Sequence, residues 1–252
     1  MNYVCSIQSW LNANKIKINP SKCSLINFCY RSRPSITSAK IGNNTITETT
    51  HTRFLGLIVD KNLNFSYHIS VIASNISKTV GILFKLKDFF PIKILRHLYF
   101  ALIQPQISYT IETWYSAPKY LTNKIFTIQK KAIRAIFSLP YNSHTSNFFK
   151  LAGILKLDDL YKFSVCTLIY KSLHNDCDTN ISQMLQALRQ NHTHITRNYS
   201  DFCLPRYHLT RSQSSFRYCA VKIYNSLPTL IKESSSIFVF RSRLRSHFLQ
   251  QY

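Results

Sequence analysis

A change of hydrophobic period near residue 60 constrains this chain more than any other feature. Before it, apolar side chains alternate or come in short runs; after it, they recur at steps of three and four. Alternation serves a strand with two faces, whereas the longer step gathers side chains along one side of a helix. The expected fold is therefore α+β and mainly α: a small antiparallel sheet at the N-terminal end, then helices. The joint lies in Arg53-Phe54-Leu55-Gly56-Leu57-Ile58-Val59-Asp60. Phe54 to Val59, apolar and bounded by polar residues, predicts a buried strand. Gly56 inside it predicts a close backbone approach. Asp60-Lys61-Asn62 predicts a turn, and Asn64 or Ser66 a cap for the helix beyond.

Upstream of the joint, Tyr3 to Asn12 predicts a short amphipathic helix with Val4, Ile7, Trp10 and Leu11 on one side. Lys15-Ile16-Lys17-Ile18 alternates as a half-buried strand would, and Cys23 to Tyr30 predicts a second strand. Ile36 to Thr47, with Gly42-Asn43-Asn44 in the middle, predicts a hairpin, and the Phe54 strand is expected to close the sheet. Downstream, Phe65 to Phe89 predicts one long helix striped by Ile69, Ile72, Ala73, Ile76, Val80, Leu83 and Phe84. Pro91 should open a second helix running to about Gln104 and Pro105 should break it, with a third from Gln106 to Trp114. Further helices are expected at Lys124 to Phe137, Leu160 to Leu173, Phe216 to Asn225 and Ile237 to Gln250, the last capped within Ser234-Ser235-Ser236. His174 to Asn180 predicts a polar linker and residues 190–214 mostly loop. The domains expected are 1–62, 63–140, and 141–252 with a loop near 174–214.

Charge narrows the partners. Ten acidic side chains stand against 32 Lys and Arg, a formal net charge of +22. Such an excess repels itself and suits a polyanion: RNA, DNA or their hybrid first, an anionic membrane surface second. Residues 61–140 carry eleven basic and two acidic side chains and residues 189–252 ten and two, whereas residues 141–188 balance at four each. Aromatics make up 13% of the chain, which argues for a folded cationic surface rather than a disordered tail. On the helix from Lys124, Ile125, Ile128, Ala132 and Ile136 share one face, with Lys124, Lys130, Lys131 and Arg134 opposite. Two readings fit that face: a solvated basic surface, or a ridge that tracks phosphates. Arg241, Arg243 and Arg245 form a second basic group beside the apolar stripe Phe240, Leu244 and Phe248. No apolar run approaches the ~20 residues that span a bilayer, so no spanning segment is expected, and the partner expected is nucleic acid and no membrane. Seven cysteines without a C-x-x-C pair, and no secretory signal at Met1 to Trp10, predict a reducing intracellular setting, the nucleus or a cytoplasmic ribonucleoprotein.

Catalytic groups are scarce. Nucleotidyl transfer requires carboxylates holding two metals ~3.5–4 Å apart. Asp158-Asp159 is the one adjacent acidic pair, and its place before an apolar helical run predicts an N-cap. Asp176 and Asp178 fall in a polar loop. His192, His194, Cys203 and His208 are zinc-ligand types, but their spacings match no finger pattern. With four glycines in all there is no phosphate-cradling loop. No metal site is expected in this chain.

The order of motifs is more specific than any one of them. Trp10-Leu11-Asn12-Ala13-Asn14-Lys15-Ile16-Lys17-Ile18-Asn19-Pro20-Ser21-Lys22 resembles the segment just after the catalytic aspartates in reverse transcriptases of jockey-like, LINE-type non-LTR retrotransposons, with Cys23 where Thr is usual. Phe54-Leu55-Gly56 with Asp60, Leu63, Phe65 and His68 is similar to the family's primer-grip hairpin, with Phe65 where Trp is frequent. Leu98-Tyr99 to Pro105, Tyr109 and Trp114 resemble its thumb helices. Gln129-Lys130-Lys131-Ala132-Ile133-Arg134 is similar to its basic helix, and Tyr224-Asn225-Ser226-Leu227-Pro228 to its C-terminal region. The resemblance implies the end of a palm, a helical thumb and a helical C-terminal domain. It implies that Phe54, Leu55 and Gly56 lie under a primer strand, and that Lys22 sits near an incoming nucleotide. The family's catalytic aspartates lie upstream of Trp10. The chain is therefore expected to be a fragment of an RNA-directed DNA polymerase, inactive alone, whose partners are template–primer nucleic acid and the missing palm, fingers and endonuclease. Magnesium is implied for the complete enzyme only. The alternative is a stand-alone or domesticated nucleic-acid-binding protein without enzymatic activity.

Overall fold

The computed structural model describes residues 2–28, 38–41, 44–174, 176, 179–189 and 202–252. The chain forms two compact units, Met1–His68 and Ile69–Tyr252. As expected, the fold is mainly helical with β structure near the N-terminus.

The first unit opens with α1 (Asn2–Ala13). Ile16 N–H bonds to Leu11 O at 2.9 Å, Lys15 N–H bonds to Asn12 O at 3.0 Å, and Lys15 has φ 56°. This left-handed closure ends the helix and uses the residues expected to start a strand; Lys15 to Ile18 is not one. Pro20–Lys22 is a single 3₁₀ turn. Of the strand expected from Cys23, the described part makes only an isolated parallel bridge, Leu25 to Glu48. β1 (Ser38–Ile41) and β2 (Asn44–Thr47) form the expected hairpin, while Gly42 and Asn43 at its turn lie outside the described residues. β3 (His51–Phe54) and β4 (Leu57–Asp60) form a second, separate two-stranded sheet. Phe54 to Val59 is thus not one strand, and it does not close the first sheet. Leu55 at φ 47° and Gly56 at φ 86° turn the chain between Phe54 and Leu57. Two consecutive positive φ angles are the geometry that twists with a hairpin, and Gly56 supplies the easier of the two.

The base of this hairpin is locked to the helix after it. Asp60 Oδ1 accepts the N–H groups of Asn62 and Asn64 at 3.0 and 3.2 Å, and Oδ2 accepts that of Phe65 at 2.7 Å. His68, 4% exposed, accepts the Ile58 N–H on Nδ1 at 3.3 Å. Burial first, and then the Arg53 charge, lower the His68 pKa below 6.5. The folded form therefore prefers neutral His68, and the unfolded chain takes up the proton first as pH falls. The His68 contribution to stability should be complete above pH 6.5 and be lost between that value and the lower folded pKa. Against His68→Gln, which keeps an acceptor without titrating, wild type should show the steeper loss of urea midpoint between pH 7.5 and pH 5. Parallel curves would contradict this.

α2 (Ser66–Leu86) runs across the division between the units. Ile69, Ile72, Ala73, Ile76, Val80 and Leu83 are buried as expected, but Phe84 is 38% exposed and stands off the stripe. α3 (Ile92–Leu98) follows Pro91 and passes through a π turn, Tyr99–Ile103, into α4 (Gln104–Ser108). Pro105 does not break the helix. The π turn shifts the register, so Pro105 falls in the first turn of α4, where its missing N–H costs little. The break comes at Tyr109 and at Thr110, φ 49°, ahead of α5 (Ile111–Trp114). The remaining helices are α6 (Lys119–Ile136), α7 (Ser146–Ala152), α8 (Leu157–Leu173), α9 (Thr179–Arg189), α10 (Thr210–Gln213), α11 (Phe216–Asn225), α12 (Thr229–Lys232) and α13 (Ile237–Gln250).

α8 is the core of this unit. Leu157, Leu160, Tyr161, Val165, Cys166, Ile169 and Tyr170 are buried on several sides of it. α4, α5, α6, α9, α11 and α13 all pack on it, which is how a helix without a polar face is satisfied. Tyr170 stacks on Phe240 at 4.3 Å and donates its hydroxyl to Ser234 O at 2.6 Å, tying α8 to the start of α13. Ser236 caps α13, its Oγ accepting the Val239 N–H at 3.3 Å. One polar side chain crosses the core. Gln129, 0% exposed, donates from Nε2 to Tyr99 Oη and Leu155 O, both at 2.9 Å, and accepts the Leu157 N–H on Oε1 at 3.0 Å.

Candidate nucleic-acid interface

In the first unit, the tip of the β3–β4 hairpin carries Phe54, Leu55 and Gly56. Phe54 is 65% and Leu55 77% exposed, so neither packs in a core. A tight turn that displays two apolar side chains offers contact area that bases or sugars can cover. Lys22 ends the 3₁₀ turn, exposed to solvent. Next to it in sequence, Pro20, Ser21 and Cys23 line an open hollow of about 380 Å³ with residues 44–47 and Thr49. Hydroxyl and amide groups rim this hollow, but no charged side chain lines it.

In the second unit, α6 presents the strongest cationic face. It forms because Pro118 opens the helix and Ile125, Ile128, Ala132, Ile133 and Ile136 bury the opposite side. Lys124 is exposed, and Lys131 is half-buried. Lys130 Nζ lies 4.3 Å from the centre of the Phe126 ring. Arg134 donates from Nε and a terminal nitrogen to Ser143 O at 3.3 and 3.1 Å and lies over Tyr141. The four residues share one face, but Arg134 also holds the loop after α6.

The arginines of α13 are more strongly engaged. Arg243 donates to Leu230 O at 2.7 Å. Arg245 donates to Gly153 O, as Arg96 does to Ala152 O, at the C-terminal end of α7. Both guanidinium groups face Phe100, at 5.1 Å for Arg96 and 5.5 Å for Arg245. Burial and the charges of Arg96 and Arg241 lower the Arg245 pKa. Cations at a helix C-terminus offset its partial negative charge, so Arg96 and Arg245 have a structural task. Arg241 is exposed, 5.6 Å from the centre of the Phe163 ring.

Several of the described acidic side chains serve the fold. Asp158 and Asp159 lie in the first turn of α8, not at its cap; Lys156 is the cap and makes no side-chain capping bond. Asp158 accepts the Tyr115 hydroxyl. Burial raises its pKa, with the Lys162 charge opposing and Asp159 adding to the rise. Asp159 pairs with Lys162 at 2.9 Å and accepts the Tyr252 hydroxyl at 2.9 Å. Glu112 accepts the Ser164 hydroxyl. Among the described residues no three His, Cys, Asp or Glu side chains converge to hold a metal; His192 and His194 lie outside those residues. Cys23, Cys166, Cys203 and Cys219 form no disulfide bond. Of the described helices, α2 alone is long and apolar enough to cross a membrane, although it contains no unbroken apolar run of that length.

The chain is 24% identical over 160 residues to the RNA-directed DNA polymerase from mobile element jockey of Drosophila melanogaster, covering 62% of this chain and 17% of that protein. It is 24% identical over 191 residues to the corresponding jockey polymerase of Drosophila funebris, covering 74% of this chain and 20% of that protein. It is 25% identical over 145 residues to the probable RNA-directed DNA polymerase from transposon BS of Drosophila melanogaster, covering 55% of this chain and 16% of that protein. The chain thus spans a fifth or less of the length of these curated relatives. No family model and no solved structure matches it.

Proposed function

We propose that this chain, similar over more than half its length to RNA-directed DNA polymerases of jockey-type elements, is the thumb-side part of such an enzyme and grips template–primer nucleic acid. The similarity carries the reading, and the acid-free cationic face of α6 supports it. The chain contributes grip rather than chemistry. Asp60, Glu112, Asp158 and Asp159 are taken up by backbone N–H groups, hydroxyls and Lys162, and among the described residues no acidic cluster fits a two-metal centre. Magnesium and the reacting nucleotide belong with palm and fingers segments that a complete enzyme would supply, and Lys22 with the Phe54-Leu55-Gly56 tip would border that centre. Contacts of the α6 kind read backbone charge and shape, with little base sequence.

The test uses an RNA template annealed to a shorter DNA primer. The chain should bind it with an affinity that falls steeply with salt. Changing Lys124, Lys130 and Lys131 together to Gln, with Arg134 kept because it holds Ser143, should reduce the log–log salt slope by about two to three and leave the fold intact. Primer extension with magnesium and nucleotides should yield no product from this chain alone. Salt-independent binding, an unchanged slope, or a metal-dependent product would overturn the proposal.

A further inference from the structure

The basic face of α6 carries something that a duplex gives no use for. Tyr120, Lys124, Thr127 and Lys131 are spaced by four, three and four residues, so they lie in one row along the helix. Tyr120 is 72% exposed. Arg134 continues the row, and its guanidinium lies 5.8 Å from the centre of the Tyr141 ring, which is 76% exposed. The two hydrogen bonds from Arg134 to Ser143 O hold that loop, and Tyr141 with it, at the end of the row. The ridge therefore carries a run of cationic groups between two large exposed rings, one at each end. Neither ring contributes to a core. From Tyr120 to Arg134 the helix rises about 21 Å at 1.5 Å per residue, long enough to follow several nucleotides.

In a duplex the base faces are already stacked, and a helix surface meets only phosphates and groove edges. Unpaired bases offer free faces that stack on tyrosine, while their phosphates pair with neighbouring lysines. We infer that the solvent face of α6 is a binding ridge for unpaired RNA or DNA, with Tyr120 and Tyr141 as stacking platforms and Lys124, Lys131 and Arg134 tracking the phosphates. This rests on the nucleic-acid reading above and narrows it: the part of a template–primer held here is the single-stranded part.

The experiment measures binding of the 252-residue chain to a 12-nucleotide RNA, a 12-nucleotide DNA and a blunt RNA–DNA hybrid at one salt concentration. Changing Tyr120 and Tyr141 together to Ala should weaken single-strand binding by about tenfold or more, given the usual loss per stacked base. Blunt-hybrid affinity should change by less than about twofold. Changing both to Phe keeps the rings and should restore single-strand affinity, and circular dichroism should show an unchanged fold for both variants. Equal single-strand affinity for wild type and the Ala variant would overturn the inference, as would an equal loss on the blunt hybrid. Wild type that binds the hybrid but not the single strands would overturn this inference alone; binding to none of the three would overturn the nucleic-acid reading with it.

Discussion

Gln129→Leu should lower the stability of the Ile69–Tyr252 unit by about 3–5 kcal/mol, because three buried groups lose their partner at once. Leucine fills much of the same volume, so the change isolates hydrogen bonding from packing. The Tyr99 hydroxyl, the Leu155 carbonyl and the Leu157 N–H are left in a region where Tyr99 is 0%, Leu155 4% and Leu157 1% exposed. Each orphaned group costs about 1–3 kcal/mol, but leucine is spared the burial cost of the Gln129 amide, so the net falls in the lower part of the summed range and is still a large share of a typical 5–15 kcal/mol. Tyr99→Phe removes one partner and leaves Gln129 bonded to Leu155 and Leu157, so its cost should be near 1 kcal/mol. The unit has its own reporter in Trp114, 0% exposed, while Trp10 lies in the first unit, 61% exposed. Urea titration of Trp114 fluorescence in a Trp10→Phe background should show both shifts. A loss below about 1 kcal/mol for Gln129→Leu would mean that the network is not what joins α6 to the start of α8.

The parts of the fold that were legible in the sequence are those where local signals agree. α11 and α13 fall at the expected residues because each combines an apolar stripe with clear stops, Ser226-Leu227-Pro228 after one and a Ser236 cap before the other. Signals that depended on a distant partner misled. Lys15 to Ile18 alternates, yet a strand needs a neighbour, and the closure of α1 claims Lys15 first. Phe54 to Val59 has strand composition, yet its Leu55-Gly56 turn lacks the Asn or Asp that commonly marks such a reversal. Pro105 looked like a stop because a π turn leaves no periodic trace that a short window reveals. α9 (Thr179–Arg189) was hidden behind the expected linker. In the candidate site, the row of lysines was readable from spacing alone. What spacing could not tell was which cations the fold already employs, as it does Arg243 and Arg245, or that Gln129, beside two lysines, points into the core. Tyr120 and Tyr141 could have been found, since Tyr120 shares the spacing of the basic row.

Asp60→Ala should cost the Met1–His68 unit about 2–4 kcal/mol and leave the second unit unchanged. The carboxylate accepts the backbone N–H groups of Asn62, Asn64 and Phe65; Phe65 has φ 56°, and Leu63, between two of the held residues and bonded to the Asp60 carbonyl, has φ 53°. Left-handed backbone costs an ordinary residue about 1–2 kcal/mol, so this loop persists only while something over-determines it. Charge-assisted bonds are the stronger kind, although the exposed Asn62 N–H recovers part of its loss from water. Asp60→Asn keeps one acceptor oxygen and should cost less than Asp60→Ala. Hydrogen exchange over residues 51–60 should accelerate in both variants, more in the Ala form, while the Trp114 transition stays in place. The tip behaves differently. Changing the exposed Phe54 and Leu55 together to Ala should leave exchange at the hairpin base nearly unchanged and weaken template–primer binding. The one stretch that resembles a primer grip is thereby divided into a structural base, Asp60 and His68, and an exposed tip. If Asp60→Ala destabilised no more than the tip variant, or if it moved the Trp114 transition as well, that division would be wrong and the hairpin would not stand on the carboxylate.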